Sequence, residues 1–111
     1  MTKIVDLYTA NPDKQIFICD FSPPRSGKSR LLEPAATLSG LDFISVAYNP
    51  GRTSRINSAI AAYSIKYNLS SDVVFTLATR DMNKLAMQSL LLGADLLGLE
   101  NIVVVKGDNF T

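Results

Sequence analysis

In the stretch Ile16-Phe-Ile-Cys-Asp-Phe-Ser-Pro-Pro-Arg-Ser-Gly-Lys-Ser29, an apolar run ends in a carboxylate and a stiff Pro-Pro turn. This pattern predicts a buried strand followed by a loop. The stretch closes with Gly27-Lys28-Ser29, which resembles the end of a phosphate-binding P-loop. Ser22 stands where that motif has its first glycine, and Pro23 and Pro24 lack the backbone N–H groups that would bind phosphate. We therefore interpret Gly27–Ser29 as a loop that enters a helix, with nucleotide-phosphate binding through Lys28 as an alternative.

The composition indicates an ordinary globular chain. It has 111 residues, of which 47% are hydrophobic, and a formal net charge of +1. This charge gives no reason to expect a nucleic-acid or membrane partner. The amino-terminal sequence does not resemble a signal peptide, and no apolar run reaches the ~20 residues that span a bilayer, so we expect a cytoplasmic protein. Cys19 is the single cysteine and histidine is absent, which excludes an internal disulfide and histidine-based catalytic or metal sites.

Four short apolar runs rich in Val, Ile and Phe predict strands. They are nearly continuous rather than alternating, as is typical of parallel strands that are covered on both faces. The predicted strands are Gln15–Phe21, Asp42–Ala47, Asp72–Ala78 and Asn101–Lys106.

Segments with helical spacing separate these strands. The predicted helices are Lys28–Leu38, Thr53–Tyr67 and Met82–Leu97, with a further short helix from Lys3 to Thr9. Pro34 is expected to delay or kink the first of the three. Thr53 or Ser54 could cap the second helix and Asp81 the third, while Gly98 is suited to end the third.

The element order βαβαβαβ predicts an α/β fold with a parallel sheet and right-handed crossovers. No Gly-x-Gly-x-x-Gly motif follows the first strand, which argues against a dinucleotide-binding Rossmann start. A (βα)8 TIM barrel normally needs ~250 residues. We therefore predict that residues 1–111 form a single partial domain, the first half of such a barrel, apparently truncated after strand 4. Because a half barrel leaves two open strand edges, we expect a truncated sequence, a homo-oligomer or a partner chain that completes the barrel.

Charged residues gather where the predicted strands end, which is where TIM barrels carry their chemistry. Asp20 and Asp108 follow the first and fourth strands. The cations at these ends are Arg25, Arg52, Arg55, Arg80 and Lys106. They suggest an anionic ligand, although solvated loop charges are an equal interpretation. By strand alternation, Asp20 faces the barrel interior with Ile18 and could act as a general acid, while Cys19 faces the helices as a core thiol.

The same segments resemble a known family, the methylenetetrahydrofolate reductases. Phe17-Ile-Cys-Asp-Phe-Ser-Pro-Pro-Arg25 is similar to the family's Phe-Glu-Phe-Phe-Pro-Pro-Arg opening. The resemblance continues in order through Asp42–Tyr48, Thr76–Ala94 and Asn101-Ile-Val-Val-Val-Lys-Gly-Asp108, so that it covers nearly the whole chain.

This resemblance implies a TIM barrel that binds FAD. Members of the family transfer hydride from NAD(P)H to the flavin and then to 5,10-methylenetetrahydrofolate, giving 5-methyltetrahydrofolate for one-carbon and methionine metabolism. The implied partners are therefore a folate substrate and NADH, NADPH or another reductant.

The resemblance also implies roles for individual residues. Asp20 takes the position of the glutamate that donates a proton to the folate, and Asp108 that of an aspartate beside the flavin and the pterin. The loop Lys106-Gly107-Asp108 corresponds to one that contacts the flavin. Ala47 replaces a threonine near the flavin, and Thr76 replaces a flavin-contacting histidine.

Three of these positions differ from the family pattern. Asp20 is one methylene shorter than glutamate, Ala47 lacks the hydroxyl, and Thr76 lacks the imidazole. A non-catalytic or divergent folate- or flavin-binding barrel is therefore an alternative to the reductase, and we expect these 111 residues alone to be inactive.

Overall fold

The computed structural model describes residues 2–27 and 30–107. Its sheet contains four parallel strands in the order β1-β2-β3-β4, which confirms the predicted α/β fold. The strands are β1 (Ile18–Phe21), β2 (Phe43–Val46), β3 (Val73–Ala78) and β4 (Ile102–Val105). All four predicted strands are present, and each is shorter at one or both ends than the apolar run that predicted it.

One helix precedes these strands and the others separate them, as the sequence predicts. They are α1 (Ile4–Ala10), α2 (Leu32–Ala36), α3 (Ser58–Leu69) and α4 (Lys84–Leu96), with 3₁₀ turns at Pro50–Arg52 and Thr79–Asp81. α2 is much shorter than the predicted Lys28–Leu38. Pro34 lies in its first turn, where the missing N–H has no helical partner to lose. None of the described helices is long and apolar enough to cross a membrane.

The predicted caps of the two long helices are wrong, because asparagines take both positions. The Asn57 side chain accepts hydrogen bonds from the backbone N–H groups of Ala59 and Ile60, so α3 begins after the predicted Thr53 or Ser54. Asn83 rather than Asp81 caps α4.

The prediction for the end of α4 is confirmed. Gly98 follows the last helical turn with φ of 72°, and its N–H bonds the carbonyl of Asp95.

The core lies on one face of the sheet. α3 packs across β2 and β3, with α2 against its side. Small side chains on α3 let it approach the sheet closely. The core includes Phe21, Ile44, Val46, Ile65, Val73 and Phe75. Cys19, which was predicted to pack in this core, is only half-buried.

Asn101 closes the amino-terminal end of the sheet. It is 4% exposed. Its Oδ1 accepts from Ile4 N at 2.9 Å, and its Nδ2 donates to Thr2 O at 2.9 Å and Val73 O at 3.2 Å. The side-chain amide thus ties the amino-terminal segment to β3 and leaves the opposite end of the sheet for the strand-end loops.

Candidate functional site

Three of the predicted site residues lie on one face of the sheet. Asp20 pairs with Ser45 on β2, and Ser45 pairs with Val74 on β3. Thr76 is two residues beyond Val74, so it faces the same side. Ala47 follows β2 directly and donates its N–H to Phe21 O at 2.9 Å, which places it level with the carboxyl end of β1. This face lies opposite the helices.

Exposure along this face is uneven. Asp20 is exposed, whereas Ala47 and Thr76 are half-buried. Val103 and Val105, which pair with Thr76 and Ala78, are exposed on β4. The predicted apolar surroundings of Asp20 are therefore not formed by the described residues, and its carboxylate faces solvent across an open sheet surface.

The loop after β4 rests on the loop after β3. Arg80 N donates to Lys106 O at 2.9 Å. Gly107 has φ of 94°, and a Cβ built on it would lie 3.1 Å from Arg80 Cβ and 3.3 Å from Ala78 Cβ. Glycine is therefore required here by both backbone and space. The remaining residue of this predicted cofactor loop, Asp108, lies outside the described residues.

A polar cluster that the sequence did not predict joins the second and third loops. The Arg80 guanidinium donates to both Asp81 carboxylate oxygens, Nε to Oδ1 at 2.8 Å and Nη2 to Oδ2 at 2.7 Å. Tyr48 also hydrogen-bonds Asp81. The Arg80 hydrogen bonds hold the pKa of Asp81 below its usual value. Burial, followed by the Asp81 charge, raises the pKa of Tyr48.

The first and second loops are joined through the Pro-Pro turn. Arg55 Nη1 donates to Pro23 O at 2.8 Å, and Ile56 N donates to Pro24 O at 3.0 Å. Arg55 N in turn donates to Asn49 Oδ1 at 2.8 Å, and Asn49 has φ of 36°. The turn thus docks the neighbouring loop through its carbonyls, which supports a structural interpretation of the segment over a phosphate cradle. Lys28 and Ser29 lie outside the described residues.

The predicted cationic rim is brought together only in part. Arg52 and Arg80 line one polar cleft of about 190 Å³ beside Asp81. Arg55 instead bonds the Pro23 carbonyl, while Arg25 and Lys106 are exposed outside this cleft. The rim is therefore a set of specific contacts rather than one continuous anion site. No group of three side chains suited to hold a metal ion occurs among the described residues.

Comparison with known families agrees with this geometry. A family model described as methylenetetrahydrofolate reductase matches residues 6–111, essentially the whole chain. The chain belongs to the methylenetetrahydrofolate reductase family. A search of curated proteins finds no match.

Membership in the methylenetetrahydrofolate reductase family accounts for the architecture. The family fold is a TIM barrel, and the four parallel strands form the first half of such a barrel. At the family level, the chain is associated with folate-related reduction by oxidoreductases that are generally flavin-dependent.

Sequence reasoning missed Tyr48 and Asp81 as site residues and assigned Asp81 to a helix cap. Tyr48 directly follows the predicted strand Asp42–Ala47, and Asp81 lies three residues after the end of the predicted strand Asp72–Ala78. The adjacent opposite charges of Arg80 and Asp81 were a usable signal. The contact with Tyr48 depends on how the two loops meet, which is not encoded in local spacing.

Proposed function

We propose that this protein is a flavin-dependent reductase that converts 5,10-methylenetetrahydrofolate to 5-methyltetrahydrofolate, with FAD as cofactor and NAD(P)H or another reductant as electron source. The match of the family model over residues 6–111 carries this proposal. It is supported by Asp20, Ala47 and Thr76 lying on one face of the sheet, next to the loop that contains Gly107.

The residues at this edge fit a flat aromatic cofactor. Ala47 is small and half-buried, and Gly107 brings the backbone of the loop after β4 close to Ala78, so backbone and small side chains border the end of the sheet face. Under the proposal, Thr76 contributes a hydroxyl, and Lys106, Gly107 and the adjoining Asp108 contact the ring. A bound flavin supplies hydride transfer, and these residues set its position and electrostatic environment.

Asp20 is the proposed proton donor to the folate. Its exposed carboxyl group lies on the open sheet face, where a bound folate could meet it. The missing methylene, compared with glutamate, retracts the acid by about 1 Å, and a misplacement of this size can slow a reaction ~10²-fold. We therefore expect slow folate reduction, with cofactor reduction less affected.

The test separates these two half-reactions. The protein, purified at its full native length, is expected to bind FAD, to lose visible flavin absorbance when NAD(P)H is added without oxygen, and to regain it with methylenetetrahydrofolate. Asp20→Asn should block the second step and spare the first. Asp13→Asn, at an exposed position in the loop before β1, is the control. Failure to bind flavin would reject the reductase proposal.

A non-catalytic or divergent flavin- or folate-binding protein is the second candidate. The observation that favours it is the alteration of Asp20, Ala47 and Thr76 from the family pattern. Asp20→Glu decides between the two. A rise in folate turnover supports the reductase, whereas bound flavin with no turnover in either form supports the binding protein.

We also propose that further strands cover the sheet edge at β4, contributed by a longer form of this protein, another copy or another chain. Ile102, Val103, Val104 and Val105 are all exposed, although Val-rich parallel strands are normally buried. Light scattering after size-exclusion chromatography tests this proposal. A monodisperse monomer in which the β4 edge remains exposed to solvent would contradict this proposal.

A further inference from the structure

Hydrogen bonds connect all four strand-end loops, and Asp81 lies at a junction of this chain of contacts. Pro23 O accepts from Arg55, whose N–H donates to Asn49. Tyr48 hydrogen-bonds both Asn49 and Asp81. Asp81 pairs with Arg80, and Arg80 N donates to Lys106 O. The loops that follow β1, β2, β3 and β4 are thereby joined into one rim.

The Arg80 side chain reaches from this junction across Gly107. The Cβ position of Gly107 lies 3.1 Å from Arg80 Cβ and 3.5 Å from Arg80 Cζ, so both ends of the arginine side chain lie against the glycine. A fixed guanidinium keeps the Arg80 side chain against Gly107. The two parallel hydrogen bonds to Asp81 provide that fixation.

We propose that Asp81 is a positioning residue, whose carboxylate fixes Arg80 and through it the Lys106–Gly107 loop. The inference rests on the proposed function in taking this loop as a flavin contact. The side chains of Arg80 and Asp81 are 15% and 26% exposed, although Asp81 as a whole residue is exposed, so the two parallel hydrogen bonds rather than deep burial hold the geometry of the pair. Tyr48 orients the carboxylate from the neighbouring loop.

The first test follows the Gly107 amide resonance in ¹⁵N-labelled protein without any ligand. The other described charged or ionisable groups around the Asp81 carboxylate are Arg80, Tyr48 and Arg52, none of which is a second carboxylic acid. The Gly107 resonance should shift with a step at the lowered pKa of Asp81. Asp81→Asn should remove the step. The Gly40 amide, at a remote turn with a similar φ of 97°, is the internal reference.

Tyr48→Phe provides a milder variant if Asp81→Asn does not fold. The Tyr48 hydrogen bond lowers the pKa of Asp81, so its removal should move the Gly107 step to higher pH. Asp95→Asn and Tyr8→Phe, at exposed helical positions, are the matched controls and should leave the step unchanged. If Asp81 only stabilised its own loop, the amide chemical shift of Gly107, which lies on another loop, would not follow the ionisation of Asp81.

The second test measures FAD affinity. In Asp81→Asn, Arg80 is no longer fixed by the carboxylate, and FAD binding should weaken about three- to tenfold. This is the effect expected of one to two hydrogen bonds. A Gly107 resonance that titrates identically in wild type and Asp81→Asn would overturn the positioning role. A wild-type protein that binds no flavin would instead reject the proposed function, and the Gly107 titration would still decide the role of Asp81.

Discussion

Gly107→Ala is the sharpest perturbation of the proposed cofactor loop, because Gly40 supplies a matched control. Gly107 and Gly40 have φ of 94° and 97°. A Cβ at Gly107 would meet Arg80 and Ala78, whereas a Cβ at Gly40 would meet nothing within 4 Å. Both substitutions therefore carry the same backbone cost, and only Gly107→Ala adds crowding.

The expected magnitudes follow from these two contributions. A left-handed backbone costs a non-glycine residue about 1–2 kcal/mol, of which the less flexible unfolded chain returns about 0.4–1 kcal/mol. Gly40→Ala should thus lower the free energy of unfolding by about 1 kcal/mol. Overpacking adds about 1–3 kcal/mol, so Gly107→Ala should lower it by about 2–4 kcal/mol.

Urea denaturation followed by circular dichroism measures both values, and FAD titration supplies the functional comparison. We expect Gly107→Ala to weaken flavin binding and Gly40→Ala to leave it unchanged. Equal losses of stability in the two variants would refute the packing of the Lys106–Gly107 loop on Arg80. Weakened flavin binding in both would show that general destabilisation, rather than the loop, is responsible.

Asn101→Ala should lower the free energy of unfolding by about 3 kcal/mol in denaturant titrations, since three hydrogen bonds of about 1 kcal/mol each are lost. Asn68→Ala, which removes exposed contacts within α3, should change it by less than about 1 kcal/mol, and a similar loss in both would contradict the anchoring role. The raised pKa of Tyr48 means that the folded state holds this proton more tightly than the unfolded state. Its stabilisation is complete below pH 10.0 and is lost as pH rises through the folded value, so Tyr48→Phe should flatten the alkaline limb of the stability profile. The lowered pKa of Asp81 acts in the opposite direction. Its stabilisation is present above pH 3.8 and is lost as pH falls through the folded value, so Asp81→Asn should flatten the acid limb, and an unchanged limb in either variant would contradict the cluster.

The strands could be predicted because their signal is local. Buried parallel strands need continuous apolar runs, and Val73–Ala78 satisfies this requirement without reference to any other segment. Helix starts were less predictable because several residues before α3 can cap a helix. Ile56 N is bonded to Pro24 O in the neighbouring loop, so the chain stays extended past Thr53 and Ser54 until Asn57.

The charged residues show the same division between local and distant information. Their clustering at the strand ends was visible in the sequence, but their partners were not. Arg55 bonds a carbonyl at Pro23, 32 positions away, and Arg80 bonds its immediate neighbour. Cations that suggested one anionic ligand are thus partly engaged in holding the loops together.

The positions that depart from the family pattern differ physically from those that retain it. Asp20 is exposed, and Ala47 and Thr76 are half-buried on the open face, so changes there disturb little of the chain's own packing. Gly107 is confined by its φ and by Arg80, and Pro23 is fully buried, so these residues are required for the rim to form. Divergence at Asp20, Ala47 and Thr76 can therefore proceed without loss of the fold. Because Asp20 is exposed on the open face, Asp20→Glu tests the proposed proton donor with little effect on stability.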